Sequence, residues 1–309
     1  MSKDINSLLI EPIRVFVACT PSEWLPMKVL EFSIKETTSL PVEVSAIYTF
    51  NRTIPMPQAI ENRPRTPFSF QRFLIPELCG YSGKAIYLDA DMQVFRDINE
   101  LWNHDFFGCD LQTVQEAKKG RRGQFSVMLL DCKALGWNVE QIVTDLDAGK
   151  LNYAALMYEM RVARKIGRDI FPHWNSLERY EAGKTSLLHN TNMHTQPWIS
   201  KDNPLGYLWV ACLRRAIVSG FISQVQLERE VRLGYVRPSL LEQIKVGVDD
   251  SIALSKAIQR LDRTFIPPYK QLVCGKSWQY TSLGFAILGM LRRYYYKSLL
   301  ARFLRLLRR

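Results

Sequence analysis

The chain has 309 residues, and 47% of them are hydrophobic, which suffices for a core and excludes a globally disordered protein. Its six cysteines are scattered without a C-x-x-C pair, which excludes a zinc ribbon or a disulfide framework and indicates free thiols in a reducing compartment. The net charge of +11 is unevenly spread, because residues 280–309 hold seven basic residues and no acidic one.

The first elements predict a β-α-β unit. Residues 13–20 form an apolar run typical of a buried strand, and Pro21-Ser22-Glu23 then open a helix with apolar residues at helical spacing. Residues 42–50 are predicted as a second strand, so the chain begins a parallel sheet. A loop with four prolines, 51–67, and a helix over 68–79 follow.

An acidic pair ends the next strand. The apolar residues 85–88 run directly into Asp89-Ala90-Asp91, which predicts a buried strand with carboxylates at its C-terminal end. Open α/β sheets bind ligands outside these strand ends, and two carboxylates one residue apart can bind one hard cation that holds a diphosphate. A second copy, Asp145-Leu146-Asp147, falls in a predicted surface helix and is interpreted as solvated charge.

The remaining pattern predicts an α/β fold with a mostly parallel, Rossmann-like sheet in residues 1–205 and a helical appendage in 206–309. The predicted elements after the acidic pair are a helix over 98–104, strands over 109–115 and 124–131, and helices over 138–149, 153–166, 208–218, 223–233, 239–244 and 251–261.

The basic C-terminal segment predicts an amphipathic helix. Leucines interleave with the basic residues of 280–309, a pattern typical of binding to an anionic membrane surface, or of a helix packed on the protein with its basic side in water. The apolar run 283–291 is short of the roughly 20 residues that span a bilayer, and the first residues lack a signal-peptide pattern. We expect a cytoplasmic protein, either free or peripheral on a membrane, and no nucleic-acid partner.

Two of the four histidines lie in the segment 187–198, which ends in Pro197-Trp198. Together with three earlier segments it resembles glycosyltransferase family 8, which includes glycogenin and bacterial lipopolysaccharide galactosyltransferases. The earlier segments are the strand Val15-Phe16-Val17-Ala18, the stretch Phe70-Gln71-Arg72-Phe73, and Tyr87-Leu88-Asp89-Ala90-Asp91 with its continuation through Trp102.

The resemblance implies a GT-A fold, a nucleotide-sugar donor that is usually a uridine diphosphate sugar, and transfer with retention at the anomeric carbon. It also implies a divalent cation, manganese first and magnesium as the alternative. By position, Asp89 and Asp91 correspond to the metal-binding pair, His189 to the third ligand, and Arg72 to a donor contact. Thr20 falls where uridine is usually bound. The acceptor stays open among a glycan, a lipid and a protein.

Three positions depart from the family pattern. Gln196 stands where the family usually has a lysine that contacts the diphosphate, and we assign it to the donor site. Gln124 begins the segment that replaces the family's Asn-x-Gly strand. The Asp-Gln pair that shapes the family's catalytic region has no clear counterpart, and Asn175 lies nearby in order. We predict Gln124 and Asn175 as catalytic, acceptor-side residues. His194 is a rival to His189 as metal ligand.

Two other classes of protein stay open. One is a GT-A protein that has lost turnover and keeps nucleotide or membrane binding, because Gln196 removes a positive charge that Arg121 or Arg122 would have to supply. The other is a phosphohydrolase with an Asp-x-Asp strand end. That class requires Thr or Val two residues after the second aspartate, where Gln93 stands here.

Overall fold

The computed structural model describes residues 11–115 and 125–271. Its strands are β1 (Ile13–Ala18), β2 (Val42–Ala46), β3 (Lys84–Asp89), β4 (Met92–Val94), β5 (Leu111–Val114), β6 (Val127–Asp131), β7 (Ile166–Ile170), β8 (Ser176–Leu177) and β9 (Leu187–His189). Its α-helices are α1 (Trp24–Thr37), α2 (Ile75–Leu78), α3 (Asn99–Trp102), α4 (Cys132–Leu135), α5 (Val139–Asp147), α6 (Tyr153–Met157), α7 (Gly206–Val218), α8 (Gln224–Arg232), α9 (Pro238–Lys245), α10 (Lys256–Gln259) and α11 (Pro268–Gln271). The predictions for Gln124, Arg121, Arg122 and the basic segment 280–309 lie outside these residues.

The central sheet has the strand order β2-β1-β3-β6-β5-β7. Strand β1 runs parallel to β2 and β3, and β5 runs parallel to β7, while β6 lies antiparallel between β3 and β5. Val15 and Val17 pack on one face of the sheet, and Phe16 and Ala18 pack on the other. Both faces of β1 are therefore buried, as its continuous apolar run predicts, and the α/β fold class is confirmed.

Helix α1 joins the sheet to the C-terminal helices. Its residues Leu30 and Ile34 pack with the sheet face that carries Val15 and Val17. Leu25 and Val29 instead belong to a cluster with α7, α8 and α9. The C-terminal helices thus share a core with α1. Within the described residues, none of the helices has the length and apolarity needed to cross a membrane.

A buried arginine ties these helices to the histidine segment. Arg237 is fully buried, and its Nε donates to the carbonyl of Pro197 at 2.9 Å, while its backbone N–H donates to the carbonyl of Trp198 at 2.8 Å. Its Nη2 donates to Gln243 Oε1 at 2.5 Å, and burial lowers the pKa of Arg237 to about 10. Because Gln196 precedes Pro197, the helical region fixes the backbone beside a predicted site residue.

Several predicted boundaries are wrong. The second strand stops at Ala46, and a 3-10 turn occupies Ile47–Phe50. The helix predicted over 68–79 is a 3-10 turn at Gln71–Leu74 followed by α2, because Pro76 lacks the N–H that a continuous helix requires and instead starts a new one. The last predicted helix, 251–261, is likewise divided into three short helical turns. The middle one is α10, and the Ser255 side chain caps its N-terminus.

The helix predicted over 153–166 is also wrong. It stops at Met157, Met160 has the left-handed φ of 51°, and the chain then enters β7. Gly167 lies in β7 against Gln112, and a Cβ at Gly167 would meet Gln112 Oε1 at 2.1 Å. A larger residue at position 167 would have to displace the buried Gln112 side chain between β7 and β5, and helical spacing in the sequence does not reveal this contact.

Candidate metal centre

The acidic pair lies where the chain leaves the central sheet. Strand β3 ends at Asp89, and after Asp91 the chain enters β4, which belongs to a second sheet of order β4-β9-β8. Strand β9 pairs antiparallel with β4 so that His189 lies opposite Met92, and the N–H of Asn190 donates to the carbonyl of Asp91 at 2.8 Å. This register brings His189 next to Asp91.

Asp89, Asp91 and His189 form one cluster. A ligand atom from each lies within 4.8 Å of the other two. His189 Nε2 is 3.0 Å from Asp91 Oδ1, an oxygen that accepts no well-aligned hydrogen bond from any described residue, so both atoms can face a common point. Two carboxylates and one imidazole are a donor set that manganese and other divalent transition metals accept. The three predicted ligands therefore fit a divalent cation.

The imidazole of His189 is oriented by Asn175. His189 is buried, and its Nδ1 lies 2.8 Å from Asn175 Oδ1. Because an amide oxygen only accepts, Nδ1 carries a proton, and Nε2 is the nitrogen that faces the carboxylates, as for a metal-binding histidine. Burial opposes the charged form of the ring, but the carboxylates of Asp91 and Asp89 outweigh it and raise the pKa of His189.

Asp89 is held by two further side chains. Tyr87 donates its hydroxyl to Asp89 Oδ1 at 2.5 Å, and burial raises the pKa of Tyr87 well above its usual value, so the hydroxyl stays a donor. Arg72 is buried with its guanidinium 4.6 Å from the Tyr87 ring centroid, and its Nη2 lies 3.8 Å from Asp89 Oδ1. Its Nη1 donates to the carbonyl of Phe125 at 2.8 Å, whereas its buried Nε has no hydrogen-bond partner among the described residues.

Gln196 contacts the second aspartate. Its Nε2 donates to Asp91 Oδ2 at 3.1 Å and to the carbonyl of Asn190 at 3.0 Å. The structure thus brings Gln196 to the predicted metal pair, and the group that it supplies is neutral.

Thr20 lies two residues after the end of β1, and Gln71 and Glu23, which were assigned no role from the sequence, lie beside it. Gln71 donates to the carbonyl of Cys19 at 3.0 Å and accepts from its N–H at 3.1 Å, which fixes this strand end. The Thr20 N–H donates to Glu23 Oε2 at 2.8 Å. Burial raises the pKa of Glu23 to about 7, and the nearby charges of Asp91 and Asp89 raise it as well. The hydrogen bonds from Thr20 lower this pKa but do not offset the rise. Gln71 directly precedes Arg72 in the stretch that resembles the family, and this position is the feature of the sequence that could have pointed to its role.

A cavity of about 210 Å³ opens beside the cluster. Arg72 and His189 both line it, so the predicted donor contact and the third ligand share one space. The other lining residues are Phe125, Ser126, Tyr153, Met157, Tyr158 and Thr191.

Two rival sequence features lie elsewhere. His194 is exposed, and its Nδ1 contacts the Tyr269 hydroxyl at 2.8 Å, so it is outside the three-residue cluster. Asp147 of the second Asp-x-Asp copy accepts the N–H of Gln58 at 2.8 Å and thus anchors the proline-rich loop. Neither residue joins the candidate metal centre.

Comparison with protein families confirms the predicted resemblance. The profile described as "Glycosyl transferase family 8" matches residues 26–153, which include Arg72, Asp89 and Asp91. "Protein CDI" of Arabidopsis thaliana is 36% identical over 96 residues, which are 29% of this chain and 36% of that protein. The match thus spans little more than a third of that relative's length.

Solved structures similar to this one are glycosyltransferases by their descriptions. The WbbM bifunctional enzyme superposes with a TM-score of 0.48 at 10% identity, over 68% of this chain and 50% of its own. GlyE of Streptococcus pneumoniae TIGR4 gives 0.47 at 14% identity, over 68% and 64%. The galactosyltransferase LgtC, in complex with donor and acceptor sugar analogs, gives 0.46 at 11% identity, over 65% and 95%.

The first prediction concerns Asn175. Replacing it with alanine removes the acceptor that orients His189, and loss of such a partner typically weakens metal binding about 10- to 100-fold. We expect Asn175→Ala to bind Mn²⁺ that much more weakly than the unaltered protein in a titration, with its secondary structure unchanged.

The matched control is His173→Ala. His173 lies in the same 3-10 turn, Pro172–Asn175, but its Nδ1 contacts Ser186 Oγ at 2.8 Å instead of a cluster residue. Equal Mn²⁺ affinities for the two variants would contradict the role given to Asn175.

Proposed function

We propose that the protein is a metal-dependent glycosyltransferase that transfers a hexose from a UDP-hexose to an acceptor with retention of anomeric configuration. The observation that carries this proposal is the convergence of Asp89, Asp91 and His189 at a strand end, within a chain whose residues 26–153 match glycosyl transferase family 8. The donor and the stereochemistry are those that the family resemblance implies. We assign the catalytic unit to residues 1–205 and the appendage to 206–309.

The proposed cation is Mn²⁺, with Mg²⁺ as the alternative. When bound by Asp89, Asp91 and His189, it stabilises the negative charge that develops on the departing diphosphate. Tyr87 and Gln196 hold the two carboxylates through neutral hydrogen bonds, which keep the carboxylate charge available to a cation.

Arg72 is proposed to bind the donor. Its buried Nε lacks a partner among the described residues, and its guanidinium lies beside Asp89, so a diphosphate oxygen can accept a charge-assisted hydrogen bond there. Thr20 is proposed to mark the uridine end of the donor site, on the strand end that Gln71 fixes. For Asn175 the contact with His189 supports a positioning role, and Gln124 stays a predicted acceptor-side residue.

One observation favours a second candidate. Gln196 places a neutral amide where the family usually has a cation, and its Nε2 hydrogens are directed to Asp91 and Asn190. A protein that binds the nucleotide sugar without turnover would tolerate this loss of charge. Hydrolysis or transfer from the donor separates the enzyme from this binding protein.

The second prediction concerns Asp91. Asp91→Asn removes one charged ligand, and we expect donor turnover to fall by at least about 100-fold, which corresponds to roughly 3 kcal/mol of transition-state stabilisation. The measurement is release of UDP from UDP-hexoses with Mn²⁺. Asp145→Asn is the matched control, because Asp145 lies in the other Asp-x-Asp copy and contacts Gln141 and Lys150. A folded Asp91→Asn variant with full activity would overturn the proposed function.

The third prediction concerns the basic segment, for which we propose binding to an anionic membrane surface. Its seven basic residues interleaved with leucines support this proposal. We expect a chain lacking residues 280–309 to sediment less with phosphatidylserine vesicles than the full chain, and the difference to shrink in high salt. Equal sedimentation of the two chains would contradict membrane binding.

A further inference from the structure

Two exposed arginines lie against the aromatic walls of the cavity beside the metal centre. The guanidinium of Arg65 is 4.4 Å from the ring centroid of Tyr153 and 5.5 Å from that of Tyr158, and it donates to the Tyr158 hydroxyl. The guanidinium of Arg168 is 5.3 Å from the ring centroid of Phe125. All three rings line the cavity, so both cations lie at its border.

Neither of these two arginines has a carboxylate partner in the part of the chain that the structure describes. Across residues 11–115 and 125–271, no carboxylate lies within 4.0 Å of the guanidinium of Arg65 or Arg168, whereas Arg161 and Arg164 each pair with one. Arg72 contributes a third guanidinium to the cavity wall.

The carboxylates near the cavity leave part of this positive charge unbalanced. Asp89 and Asp91 are assigned to the proposed metal, and Arg72 to the diphosphate of the donor. Glu178 accepts hydrogen bonds from the Thr191 hydroxyl and the Asn192 N–H and keeps one negative charge. The two positive charges of Arg65 and Arg168 therefore exceed the charge of Glu178, and that excess favours an anionic ligand.

The walls of the cavity suit a sugar. Phe125 and Tyr153 are buried, so packing holds both rings in place in the cavity wall, and the ring centroid of Tyr158 lies 5.7 Å from that of Tyr153. The guanidinium groups of Arg65 and Arg168 lie over two of these rings and form the polar border of the cavity. Apolar aromatic walls with a few polar groups that set the orientation are typical of a small-molecule site. The volume of about 210 Å³ restricts the occupant to a small ligand, such as one sugar unit.

We propose that the acceptor is a sugar that carries a phosphate or a carboxylate, with Arg65 and Arg168 binding the anionic group and the three rings enclosing the sugar. This inference rests on the proposed function, because it assigns the cavity to the acceptor of the transfer. Guanidinium groups bind phosphates and carboxylates alike through paired N–H donors, so the experiment has to distinguish a phosphorylated sugar from a sugar acid.

The test is a binding titration in the presence of UDP and Mn²⁺. The probes are D-glucose, D-glucuronate and glucose 6-phosphate, which share a ring and differ in charge. We expect both anionic probes, or one of them, to bind at least about 10-fold more tightly than glucose, as one charge-assisted contact provides. Tighter binding of glucose 6-phosphate identifies a phosphate, and tighter binding of glucuronate identifies a carboxylate.

The variants Arg65→Gln and Arg168→Gln should each reduce this preference several-fold. Arg232→Gln is the control, because Arg232 is an exposed arginine at the end of α8, and its charge loss is the same. Equal or absent binding of the three probes, or an undiminished preference in both variants, overturns the acceptor assignment. The stabilisation of the unaltered protein by UDP with Mn²⁺ is measured alongside, since its absence would instead reject the donor site and with it the proposed function.

Discussion

The pairing of β4 with β9 is the constraint on which the candidate site depends. Asp89 and Asp91 are neighbours in sequence, but His189 reaches them only because β9 lies antiparallel to β4 with His189 opposite Met92. A shift of this register by one residue would turn the imidazole to the other face of the small sheet. The bond from the Asn190 N–H to the Asp91 carbonyl and the anchoring of the following segment by Arg237 both fix that register.

Each carboxylate of the cluster accepts a hydrogen bond from one neutral group, and an arginine lies beside one of the two carboxylates. The Tyr87 hydroxyl and the Gln196 amide bind Asp89 and Asp91, and Arg72 lies 3.8 Å from Asp89. Gln196 thus adds no charge beside Asp91. In the proposed donor complex, the positive charge that a lysine would give to the diphosphate would have to come from another residue.

Much of the centre of the sheet could be predicted from the sequence, because β1, β3 and β6 are largely buried and are nearly continuous apolar runs. Strand β3 and the acidic pair at its end are examples, and the family resemblance that they support is confirmed over residues 26–153. Local periodicity failed where a proline interrupts the helix, as at Pro76, and where a tertiary contact matters, as at Gly167 beside the Gln112 side chain. Asn175 illustrates the same limit, because its contact with His189 depends on the pairing of β8 with β9, which no local pattern encodes.

The most direct test of the central claim, a metal-bridged nucleotide site at Asp89, Asp91 and His189, is a thermal-shift panel of UDP, ADP, GDP and CMP, each with Mn²⁺ and with a chelator. A ligand that binds only the folded state raises the melting temperature by mass action. Of the four nucleotides, we expect only UDP to raise the melting temperature in the presence of Mn²⁺. This increase should vanish with the chelator and in a His189→Ala variant. An unchanged melting temperature with every nucleotide, or an increase that survives the chelator, would contradict the account.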